Sequence, residues 1–90
     1  GKRGVLRAGG VVEEGATVED DVLMDGVVVK AGAVVKRCSL AEDVVVGAGA
    51  KVGGDGPIAH VGTGLTVGAG ATVKEGAKVF ESVKEGVEVC

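Results

Sequence analysis

The 90-residue chain has one aromatic residue, Phe80, one proline, Pro57, and one histidine, His60. Without aromatic anchors, a core must be filled by β-branched and small side chains, and 21 valines supply the former. The two cysteines, Cys38 and Cys90, are too few and too far apart for a disulfide framework, and no other ligand set accompanies them to suggest a metal site. Cys38 reads as a small buried side chain. No apolar run reaches the ~18 residues of a membrane span, and the opening Gly1-Lys2-Arg3-Gly4 leads into no apolar signal core. These absences point to a cytoplasmic protein that needs no membrane. Ten basic against thirteen acidic residues leave a net charge of -3, without a basic cluster interleaved with aromatics, so nucleic acid is not an expected partner.

What is abundant is glycine, 18 residues of it, and it is periodic. At an offset of 17 residues, segments 1–17, 18–34 and 35–51 fall into register. Val12, Val29 and Val46 coincide, as do Leu6, Leu23 and Leu40, and Gly15, Gly32 and Gly49 keep pace. From Val61 the spacing becomes a plain six through Val67, Val73 and Val79. An aliphatic residue at the first place of each six and a small one at the fifth produces short strands whose side chains point in, out, in, such as Ala16-Thr17-Val18. Between them stand corners such as Glu13-Glu14-Gly15-Ala16, where a type II turn requires φ > 0 at its third residue. Glycines at this density would cost a helix about 1 kcal/mol each, which excludes that alternative. The expected fold is all-β: a single-stranded parallel β-helix of about five triangular coils stacked ~4.8 Å apart. It occupies 1–90 as one domain. The glycines of 47–54 belong to this spacing, and no phosphate-binding GxxxxGK[ST] occurs.

The repeat breaks in two ways. Two corners are short and lack glycine, Glu19-Asp20 and Lys36-Arg37. The 17-residue offset places Lys2 over Glu19 over Lys36, and Arg3 over Asp20 over Arg37, a charge ladder on the surface. Arg3, Lys36 and Arg37 within it form a candidate regulatory anion site. The second break, Gly53-Gly54-Asp55-Gly56-Pro57-Ile58, is a loop insertion at 53–58 before Ala59-His60-Val61 resumes the pattern. His60 falls on an outward strand position, with neither a partner nor a cleft visible in the sequence. Of the three outward columns, the one through Val11, Val28 and Val45 holds three consecutive valines, a candidate interface for self-association into a homo-oligomer. Phe80 is placed to cover one open end of the solenoid.

The run GGVVEEGATVEDDVLMDGVVVKAGAVVKRCSLAEDVVVGAGAKVG, followed by GGDGPIAHVGTG, resembles the C-terminal β-helix of bacterial glucose-1-phosphate adenylyltransferase, or ADP-glucose pyrophosphorylase. The resemblance spans Gly9 to Val79 and implies a left-handed helix. It also implies a module for subunit association and effector response in glycogen biosynthesis, joined to an N-terminal nucleotidyltransferase domain. The family has a small residue such as serine where this chain has Asp21 and Cys38. On this reading the chain by itself is not an enzyme, and it has no catalytic residue, metal or cofactor. The alternatives are a hexapeptide-repeat acyltransferase, in which His60 and the 53–58 loop would frame a coenzyme A cleft between neighbouring β-helices, and a stand-alone or engineered scaffold. A γ-type carbonic anhydrase needs three histidines on zinc, and one per chain fails that test.

Overall fold

In the computed structural model, residues 10–90 are described in full and residues 2–6 by their backbone. The strands are short: β1 Lys2–Leu6, β2 Val11–Val12, β3 Thr17–Leu23, β4 Val28–Val29, β5 Val34–Lys36, β6 Cys38–Leu40 and β7 Val45–Val46. They continue as β8 Lys51–Gly53, β9 Ala59–Val61, β10 Thr66–Val67, β11 Thr72–Val73, β12 Lys78–Val79 and β13 Glu88–Val89. Every pairing among them is parallel and joins one coil to the next.

The pairings build a three-faced prism. The first face stacks β2, β4, β7 and β10. The second stacks the start of β3 on β5, β8, β11 and β13, and the third stacks β1, the end of β3, β6, β9 and β12. Strand β3 runs round the corner at Asp20, where φ is +52°, and so belongs to two faces. Its mate in the next coil breaks at Arg37, φ +48°, into β5 and β6. The glycine-free corners thus turn through single left-handed residues, an aspartate, which enters that region more readily than most, and an arginine, which does not. Backbone hydrogen bonds hold the second of them, with Arg37 N–H donating to the Glu19 carbonyl at 2.9 Å. Elsewhere the four-residue corners close as turns, as in Ala16 N–H to the Glu13 carbonyl at 3.2 Å. One of them, Ala41-Glu42-Asp43-Val44, carries aspartate at the left-handed position, φ +62°, because a short polar side chain enters that region more readily than most.

The interior is a column structure of valine, leucine and alanine. Val29, Val46 and Val67 stack on the first face, Val35, Val52 and Val73 on the second, and Leu23, Leu40 and Val61 on the third, all buried. The inward and outward assignment from the sequence therefore stands. So narrow a core cannot close over a deleted methyl pair, and Val29→Ala should lower the unfolding free energy by about 1 to 3 kcal/mol. Lys51→Ala, outward on β8, should leave the denaturant midpoint almost unmoved; the reverse order would invert the assignment.

Two expectations need correcting. The first coil does not keep the 17-residue register: Lys2 pairs with Val18 and Arg3 with Glu19, and the register shifts between Arg3 and Gly4 so that Gly4 meets Asp21. Asp20, turned into the left-handed region, is skipped in that Cα register, which therefore differs from the one predicted, and the side chains of Lys2 and Arg3 in the charge ladder lie outside the described residues. Phe80 does not cover the open end, since it remains 78% exposed.

Candidate functional site

The third face carries the outward column Val22, Ser39, His60 and Lys78, each in register with the next. His60 is exposed on β9, directly after the loop that leaves β8. Its ring makes no hydrogen bond to a side chain among the described residues.

The loop is not a free bulge. On the side of the preceding coil, Asp55 Oδ1 lies 2.9 Å from Lys36 Nζ, whose other carboxylate neighbour, Glu19 Oε2, is at 3.8 Å. The hydrogen bond between Lys36 and Asp55 holds the ammonium pKa above its usual range and that of Asp55 below its own. On the other side, Gly56 N–H donates to Glu75 Oε2 at 2.7 Å, and Gly76 N–H donates to the Pro57 carbonyl at 2.8 Å. Ile58 stands 49% exposed at the end of the loop, beside the strand that bears His60.

This geometry redistributes the residues of the predicted anion site. Lys36 is drawn to Asp55 and Glu19, Arg37 is exposed at its corner, and the side chain of Arg3 lies outside the described residues. The predicted apolar strip is assembled as expected, with Val11, Val28 and Val45 in register on the first face. Val11 is 46% exposed, whereas Val28 and Val45 are half-buried.

A polar pair sits inside the prism near its first coil. Asp21 is 3% exposed, and its Oδ1 accepts from Cys38 N–H at 2.8 Å and from the Cys38 thiol at 3.3 Å, while Oδ2 has no partner. Burial raises the Asp21 carboxyl from 3.8 to about 6, and the two Cys38 hydrogen bonds oppose the rise. Burial also pushes the Cys38 thiol well up, with the neighbouring Asp21 charge adding to it, which leaves an unreactive sulfur. The sequence marked Asp21 as out of place but not its bond to Cys38. The part played by Glu75 was not legible at all, because nothing in the local sequence ties it to a loop some twenty residues earlier.

At the far end of the prism a cavity of about 420 Å³ opens between Val79, Phe80, Val83, Lys84, Val87 and Val89. Among the described residues no group of three or more His, Cys, Asp or Glu side chains could hold a metal ion, and no helix is long and apolar enough to cross a membrane.

Parallel six-residue repeats wound into a triangular prism define a hexapeptide-repeat β-helix. Residues 2–60 match the GlmU-like, C-terminal hexapeptide family, and the chain belongs to it, with the left-handed helix that the resemblance implied. Among solved structures it is similar to the acetyltransferase domain of PglB from Neisseria gonorrhoeae FA1090 in complex with acetyl coenzyme A. That match has 32% identity and a TM-score of 0.51, over 92% of this chain and 46% of that one. A mutant perosamine N-acetyltransferase from Caulobacter crescentus, in complex with CoA and GDP-perosamine, matches at 23% identity and a TM-score of 0.36, over 97% of this chain and 52% of that one. The chain spans about half the length of these structures. No curated protein sequence matches it.

The likeness to PglB corrects the expectation that the chain is no enzyme, since the matched structure is an acetyltransferase domain. The expectation failed because the corners and loop that carried the resemblance to the adenylyltransferases are features of the scaffold, and one scaffold serves several chemistries.

Proposed function

We propose that this β-helix is part of an acetyl-coenzyme A-dependent acetyltransferase. The observation that carries the reading is the 32% identity, over 92% of the chain, to an acetyltransferase domain seen with acetyl coenzyme A. The face bearing His60 is compatible with it: an exposed imidazole next to a tethered loop can take the proton from an acceptor as it attacks the thioester carbonyl, and return it to the coenzyme A sulfur as the C–S bond breaks. An orienting partner for His60, which has none among the described residues, would come from a neighbouring copy. Hexapeptide β-helix domains commonly associate as trimers, and the strip Val11, Val28 and Val45 is the apolar surface we assign to that contact.

Acetyl coenzyme A titrated into the protein should give a saturable heat, and light scattering should show a mass above that of one chain. Val28→Lys should lower that mass with the β circular dichroism retained, and should abolish acetyl coenzyme A binding if the cleft lies between copies. A wild-type protein that shows no binding at millimolar ligand, while oligomeric and folded, would sink the reading.

A second reading makes the parent a sugar nucleotidyltransferase of the glucose-1-phosphate adenylyltransferase type. Its support is the sequence resemblance of the run from Gly9 to Val79 alone, since the left-handed corners at Asp20 and Arg37 belong to the scaffold and favour neither reading. A nucleotidyltransferase domain in the same reading frame would favour it.

A further inference from the structure

The insertion before His60 carries three glycines after β8 begins its exit, and two of them, Gly54 and Gly56, do not have positive φ. Backbone freedom does not explain them. A Cβ on Gly56 would lie 2.6 Å from the Glu75 carboxyl carbon, and one on Gly54 would lie 2.8 Å from Glu75 Oε2. The two glycines leave a cradle, and the Glu75 side chain fills it.

Within that cradle Glu75 accepts the Gly56 N–H at 2.7 Å, and the next residue, Gly76, donates its own N–H to the Pro57 carbonyl. The other side-chain tie, Asp55 to Lys36, holds a long flexible lysine, and the side chain of Asp55 is 88% exposed, so water screens it. Glu75 is exposed too, but it bonds the loop backbone itself, so one side chain rather than two must be held to fix the loop. We propose that Glu75 is a positioning residue that sets the 53–58 loop as a fixed wall beside His60. The anchoring stands on the geometry alone, while the role of the wall in a ligand site rests on the acetyltransferase reading.

The test separates the two. By nuclear magnetic resonance on the whole chain, Glu75→Ala should speed exchange of the Gly56 amide about tenfold, the size expected for losing a hydrogen bond to a charged group. Glu75→Gln keeps an acceptor oxygen and should restore most of the protection. Gly56→Ala, which crowds Glu75 from the other side, should repeat the loss. The melting temperature should barely move, because Glu75 is exposed. Acetyl coenzyme A affinity should fall about tenfold in Glu75→Ala and recover in Glu75→Gln.

Unchanged Gly56 exchange in Glu75→Ala overturns the anchoring. Faster exchange with unchanged affinity, in a protein that binds acetyl coenzyme A, overturns the wall. Faster exchange in Glu75→Ala alongside a wild type that never binds acetyl coenzyme A overturns the acetyltransferase reading and upholds the anchor.

Discussion

Asp21→Asn should make the protein more stable at about pH 8 by roughly 2 to 3 kcal/mol and leave it almost unchanged at about pH 3.5. The sign follows from the carboxyl's environment. In the folded chain Asp21 titrates near 6, against an ordinary 3.8, because burial disfavours the ionised form. Below the lower value the group is neutral in both states and contributes nothing to the pH dependence. As pH rises through the window between the two values, the unfolded chain releases its proton first, and folding loses stability until the folded group has also ionised. Above about 6 the penalty is constant. Asparagine keeps an oxygen for the Cys38 N–H but carries no charge, so the pH-dependent penalty disappears. Chemical denaturation at both pH values measures it directly. A stability difference that is the same at both would show that Asp21 is not the source.

Gly53→Ala should be the most damaging single-methyl change available in the loop region, at about 3 kcal/mol or more. Two costs add. Gly53 has φ +82°, a region that costs a residue bearing a Cβ about 1 to 2 kcal/mol. Its Cβ would also overlap the Lys36 carbonyl oxygen of the preceding coil, a backbone atom held in the β5–β8 ladder that cannot swing aside. Gly64 supplies the internal control. Its φ is +74°, yet a Cβ there meets nothing within 4 Å. Gly64→Ala should therefore show the backbone cost alone, about 1 to 2 kcal/mol. Equal destabilisation of the two variants in thermal or denaturant melts would remove the steric argument.

The parallel solenoid, its in-and-out alternation and its three outward columns were determined by the sequence alone. A six-residue period of aliphatic and small residues with glycine at the corners leaves few other ways to satisfy both core and turns. Val11, Val28 and Val45 fell into one column, and Ser39, His60 and Lys78 into another, because strand period and coil length together fix the register. Contacts made between coils at irregular places were decided only in three dimensions. The slip of the first coil depended on Asp20 being skipped in the register, and the capture of Lys36 by Asp55 depended on how far an inserted loop folds back. The seat of Glu75 between Gly54 and Gly56 depended on both the loop's path and the next coil's corner. Periodicity specifies the residues that repeat, whereas an insertion answers to whatever neighbours the stacked coils bring within a hydrogen bond of it.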